Sequence, residues 1–385
     1  MNVTTKIFTG LIFTGILFTV PGVNFIVPPA AVAQGQNTEE LNAEAERLFQ
    51  EGIQLSEQGT AESLQQAMEK WQQALQLFRS AADRRGEAKT LGNIGILYSS
   101  LGEQEAAITY LNQALELSEA ENNIPNQITS LVRLGLAHHQ LKQFLQSISY
   151  YDRALILLRT TGEKAKEAHV LAQIASAYHS LRNFPQAIAY NNQALSLYEA
   201  EQDLANAANI LKALGLIYQS LGNNEQAIEQ YEKALEYWQE INSQSDVATT
   251  LRFMGDVTGN LGNYQQAIDY YNQALALWQE MGQKPEAAQV AQVLGQIYQQ
   301  LGDIERSLSY QNQALSLWKE LNDLAGQAQM LSEIGLTYYA ILDDSIQALS
   351  YYEQAVTLWQ QLNQPAEEAQ ILNNISSIYS ESENY

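Results

Sequence analysis

A pattern of apolar and small residues returns every forty positions along most of this chain, and that recurrence restricts its fold more than any other feature. Within residues 211–240, Leu211, Leu214, Gly215 and Tyr218 are spaced i, i+3, i+4, i+7 and so share one face of a helix. Leu221-Gly222-Asn223-Asn224 breaks that helix, and Ala227, Ile228, Tyr231, Ala234, Leu235 and Trp238 carry the same periodicity on a second one. A lone helical hairpin cannot bury both of its apolar faces, so such units must stack on one another.

Followed along the chain, the turn-side position of the first helix reads Gly95, Gly135, Ala175, Gly215, Gly255, Gly295, Gly335. A small position in the second helix reads Ala74, Ala114, Ala154, Ala194, Ala234, Ala274, Ala314, Ala355. Small residues in register let helix backbones approach closely, and a larger side chain there should overpack by about 1–3 kcal/mol. This spacing resembles that of tetratricopeptide repeats: Leu91, Ile94, Gly95, Tyr98, Gly102, Ala107, Leu111 and Ala114 occupy the family's eight signature places in one repeat. The forty-residue period is similar to the longer-helix subclass of kinesin light chains and Pins-type polarity adaptors. The resemblance implies an all-α fold, a right-handed α-solenoid of stacked helix-turn-helix repeats, acting as a non-catalytic scaffold whose concave groove holds an extended partner segment.

Residues 1–33 stand apart from the array. Lys6, the apolar run Ile7 to Val20 and the final Ala31-Val32-Ala33 have the layout of a secretory signal peptide, with cleavage expected after Ala33 and export to the periplasm or beyond. A retained anchor is the alternative, but the run is shorter than the roughly twenty residues a spanning helix needs, so no stable membrane span is expected after cleavage. Residues 34–44 read as a polar linker, 45–367 as eight repeats and 368–385 as a capping helix and tail. The first repeat has three extra residues, expected to lengthen its turn before Ala67. In the last unit Leu372, Ile375, Ser376 and Tyr379 take the core places and Asn373, Asn374 and Ser377 the outer side. Lys142 and Arg182 replace the turn glycine of two units, which requires an ordinary backbone conformation there.

The formal net charge of −23 argues against nucleic acid as a partner. The sequence has no cysteine, hence no disulfide and no thiol nucleophile. It has no G-x-S-x-G, no phosphate-cradling glycine loop and no H-E-x-x-H. His138, His139, His169 and His179 have no carboxylate or Cys at ligand spacing, so no metal, cofactor or catalytic residue is expected. His139 and His179 share one place in successive repeats and are expected to face each other. Rows of Tyr and Trp in the second helices follow the core periodicity and are expected to pack between repeats.

If Leu211, Leu214, Gly215 and Tyr218 point inward, Lys212, Leu216 and Gln219 point away, and the resemblance implies that this row lines the groove. Its candidate partner-binding residues are Lys89, Asn93, Arg133, His139, His179, Lys212, Gln219, Arg252, Phe253 and Gln296. Apart from Asp256 and Glu333 the row has no acids, although the chain is acidic. Amides, hydroxyls and a few bases suit an extended protein or peptide segment bearing acidic side chains or a free carboxylate. The clamp that grips chaperone C-termini in related proteins is not assembled, because Leu216 and Phe253 stand where polar residues would be needed. Two other readings remain open: a structural or self-associating rod, and a sensor module of a larger bacterial assembly, similar to the arrays that stand before caspase-like protease domains. Separately, the Gln-rich, Lys-poor repeats and the signal resemble bacterial exported proteins.

Overall fold

A computed structural model describes residues 38–382, and the expected signal peptide lies outside them. Among the described residues there are seventeen helices and no strand. The chain forms two compact units that divide in sequence between Gly86 and Glu87.

The first unit pairs α1 (Thr38–Gln58) with α2 (Ala61–Ser80). Helix α1 begins inside the stretch expected as a linker, so residues 38–44 are helical, with Glu39 and Glu40 in the first turn where the helix dipole favours negative charge. The extra residues before Ala67 do not lengthen the turn. Thr60 and Ser63 cap each other reciprocally, each side chain accepting from the other's backbone N–H, and the extra residues become the first turn of α2. The Trp71 indole donates to the Phe49 carbonyl at 3.1 Å and lies over Gly52.

Helix α3 (Arg84–Ser100) leads into α4 (Gln104–Ala120), α5 (Ile124–Gln140), α6 (Phe144–Thr161), α7 (Lys164–Ser180), α8 (Phe184–Ala200) and α9 (Leu204–Ser220). The second unit continues with α10 (Asn224–Glu240), α11 (Gln244–Asn260), α12 (Tyr264–Glu280), α13 (Lys284–Gln300), α14 (Ile304–Glu320), α15 (Leu324–Ala340), α16 (Ser345–Gln361) and α17 (Pro365–Ser382). From α4 to α17 every pair of consecutive helices packs together, giving a solenoid of stacked hairpins.

The turns explain how strictly the period is kept. At the end of α9 the Asn223 N–H donates to the Tyr218 carbonyl at 2.9 Å and the Gly222 N–H to the Gln219 carbonyl at 3.0 Å. This closure requires a left-handed residue at position 222, where φ is +74°. Lys142 (φ +60°) and Arg182 (φ +57°) adopt that same conformation rather than the ordinary one expected of them. The same pair of bonds, here Gln143 N–H to the His138 carbonyl and Lys142 N–H to the His139 carbonyl, both 2.8 Å, dictates it. Left-handed backbone costs a side-chain-bearing residue about 1–2 kcal/mol.

Within a hairpin the closest approach is between the first-helix glycine and a side chain of the second helix. A Cβ on Gly215 would lie 2.4 Å from the Tyr231 ring, so only glycine leaves room for that ring. Where the first helix carries Ala175, the facing place is taken by the smaller Asn191, and both are buried. Of the aromatic rows, Tyr151, Tyr231, Tyr271, Trp238 and Trp278 are buried, whereas Tyr110, Tyr190 and Tyr310 are half-buried and stack on Tyr98, Tyr178 and Tyr298 of the first helices.

Helix α17 departs from expectation. Its buried residues are Ile371 and Ile378, while Leu372 is 44% and Tyr379 52% exposed. The Leu372 and Tyr379 face matches the one that, in α9, packs on the second helix of the same hairpin. No second helix covers it among the described residues, so the outer side of this helix is partly apolar instead of polar.

Candidate binding face

The first helices of the hairpins, odd-numbered from α3 to α17, present a row of side chains outside the core stripe. Lys89, Arg133, His179 and Gln296 are exposed, and Asn93, His139, Lys212, Gln219, Arg252 and Phe253 are half-buried, so none of the candidate residues is sealed in the core. The structure does not bring all of them together. His139 and His179 each pack against the phenylalanine that opens its own second helix, Phe144 at 5.1 Å and Phe184 at 5.7 Å between ring centroids. Burial lowers the pKa of His139. Lys212 lies over the Trp238 ring at 6.0 Å.

Arg252, expected as a base free to receive an acidic side chain, is already engaged. Its Nη1 donates to Asp256 Oδ2 at 2.9 Å, and its guanidinium lies 4.5 Å from the Phe253 ring centroid. Asp256 also accepts from the Tyr271 hydroxyl at 2.6 Å. Burial pushes the Asp256 carboxyl above its ordinary range, opposed by the Tyr271 hydrogen bond and the Arg252 charge.

Three cavities open along this face. One of about 610 Å³ lies between α5 and α7, with walls of Ile128, Val132, Leu136 and Val170, the buried Tyr151, and Arg133, Lys166 and His169. A second, also about 610 Å³, is bounded by α9, α11, α12 and α13 and is more polar, with Gln219, Asp256, Asn260, Gln296 and Gln300. The third, about 440 Å³ between α15 and α17, contains Gln329, Glu333, Trp359 and Glu367. Glu333 accepts from Gln292 at 2.6 Å and from Gln329 at 3.2 Å, and burial raises its pKa. Of the candidates, Arg133 lies in the first cavity and Gln219 and Gln296 in the second.

Tyr151 and Tyr271 were legible only as core rings; nothing in the spacing marked them as cavity residues. The one available signal was the residue after the first-helix glycine, Leu136 in one repeat and Asp256 in another. No group of His, Cys, Asp and Glu suited to holding a metal ion occurs among the described residues. None of the described helices is long and apolar enough to cross a membrane.

The sequence model of the tetratricopeptide repeat matches residues 60–120, 126–200, 203–280 and 246–320. The chain belongs to the tetratricopeptide repeat family. A search of curated proteins returned no match. Among solved structures, this tetratricopeptide array is similar to the C-terminal part of a TPR repeat-containing protein from Cytophaga hutchinsonii, at TM-score 0.53 and 15% identity, over 72% of this chain and 95% of that one. It is also similar to aspartyl phosphate phosphatase F from Bacillus subtilis, at TM-score 0.52 and 12% identity, covering 90% and 95%. The apo form of RapI gives TM-score 0.50 and 18% identity, covering 72% and 99%. At these identities the likeness concerns the tetratricopeptide fold alone.

Proposed function

We propose that this tetratricopeptide protein is a non-catalytic scaffold that holds an extended segment of a protein partner along the exposed face of its first helices. The observation carrying this reading is that three cavities open on that one face, each combining apolar walls with polar side chains: Arg133 and His169 in the first, Gln219, Asn260 and Gln296 in the second, Gln329 and Glu333 in the third. An extended segment can place successive side chains in successive cavities and pair its backbone with the amides between them. Residues 1–33 support export of the protein as part of the same proposal.

The test is positional. A photo-crosslinking residue introduced at Leu216 or Gln296, on the proposed face, should trap a partner in the extracytoplasmic fraction, and the same residue at Ile156, exposed on the second-helix side, should not. Equal trapping at all three positions, or trapping at Ile156 alone, would rule out this face. Self-association has one observation in its favour, the partly apolar face of α17. Replacing Leu372 and Tyr379 with serine should abolish any concentration-dependent assembly seen in sedimentation, and a strictly monomeric parent chain removes that reading.

A further inference from the structure

Two of the cavities share a floor tyrosine and differ in what its hydroxyl meets. In the second cavity one carboxylate, Asp256, accepts from Tyr271 at 2.6 Å and from Arg252 at 2.9 Å. Asp256 directly follows Gly255. In the first cavity the residue following Gly135 is Leu136, and the hydroxyl of Tyr151, a residue 0% exposed, has no hydrogen-bond partner. Ser147, one turn earlier on α6, is equally buried and its hydroxyl lies near enough to bear on Tyr151, yet neither hydroxyl has a partner in full hydrogen-bonding geometry. Arg133 lines the same cavity and, unlike Arg252, forms no ion pair with a carboxylate among the described residues. Its charge bears on both Tyr151 and His169.

A buried hydroxyl without a partner is costly and rare enough to call for an explanation. The Tyr271–Asp256–Arg252 group shows what satisfies such a tyrosine on this scaffold. The first cavity has the tyrosine and an arginine, contributed from one place nearer the glycine, and lacks the acid.

We propose that the α5/α7 cavity receives a carboxylate from outside the chain: an aspartate or glutamate of the segment held along this face, next to an aliphatic residue that rests on Ile128, Val132 and Val170. This inference depends on the scaffold reading above and names the chemistry of the segment. The carboxylate accepts from the Tyr151 hydroxyl and faces Arg133, as Asp256 does with Tyr271 and Arg252. An amide of the same shape accepts the hydroxyl but gains nothing from the arginine charge. A cation there meets a like charge and leaves the hydroxyl unmatched.

Amidated peptides Leu-Asp-Leu, Leu-Asn-Leu and Leu-Lys-Leu, each carrying a neutral dye as the acyl group on its N-terminal amine, titrated with the whole chain and read by anisotropy, test it. The Asp peptide should bind about ten-fold tighter than the Asn peptide, and the Lys peptide weakest. Arg133→Gln and Tyr151→Phe should each cut the Asp-over-Asn ratio several-fold. Leu136→Asp, which supplies internally the acid that the second cavity already has, should remove the preference, whereas Leu136→Asn, of the same size without charge, should keep it. Circular dichroism melts confirm that each variant is folded. Equal affinity for the Asp and Asn peptides, a preference that survives Leu136→Asp, or no binding by any peptide overturns the carboxylate site. A loss of face-selective crosslinking at Leu216 and Gln296 instead overturns the scaffold reading beneath it, so the two failures are distinguishable.

Discussion

The neighbouring hairpins α7–α8 and α9–α10 follow one forty-residue template and solve the contact between their helices in opposite ways. In α9–α10 a glycine, Gly215, makes room for the Tyr231 ring; in α7–α8 an alanine, Ala175, is matched by the smaller Asn191. The pair, not either residue alone, sets how closely the helices approach, and volume removed on one side is restored on the other. Close-packed interiors reward volume-conserving exchanges and penalise one-sided ones.

Breaking the smaller pair should have the largest effect. Asn191→Tyr drives a ring onto the Ala175 methyl and should destabilise by about 1–3 kcal/mol, with Ala175→Gly in the same chain restoring most of it. Urea unfolding together with hydrogen exchange in α7 and α8 reads both, since a repeat array need not unfold all at once; a neutral Asn191→Tyr would show that this contact does not govern the spacing. Gly215→Ala should cost about 1–2 kcal/mol, because the gain in helix propensity offsets part of the clash with Tyr231.

The turn after α7 offers a change in the other direction. Arg182→Gly relieves left-handed strain that Gly222, after α9, never had, and should stabilise α7–α8 by about 0.5–1 kcal/mol in the same unfolding assay. The smallest effect concerns pH. Desolvation where His169 lines the α5/α7 cavity, together with the Arg133 charge, lowers its pKa although much of its surface is exposed, so the folded array binds slightly fewer protons than the unfolded chain as pH falls from neutral through the ordinary histidine range. Stability is therefore lost over that window. His169→Asn, the residue that α9 carries at Asn209, should flatten the loss seen in melts at neutral and mildly acidic pH.

The helices, their turns and the row of first-helix side chains were legible because spacing at i, i+3, i+4 and i+7 is a local property of the sequence. Residues 38–44 misled because a helix that is polar on most sides has little apolar periodicity to show, and Leu372 and Tyr379 because the same spacing buries a face only when a second helix arrives to cover it. Lys142 and Arg182 misled for a related reason: closure of the turn, set by four backbone groups, overrode the preference of one residue.

The period alone was enough to determine that this protein is a stack of helical hairpins, since neither face of such a hairpin can remain in water. Only the tertiary structure decided which polar groups on the exposed face are already matched. Asp256 accepts from Arg252, one turn away on α11, and from Tyr271 on α12, while Tyr151 is left with an unmet hydroxyl; the bond from one helix to the next depends on distances that arise only when the hairpins close.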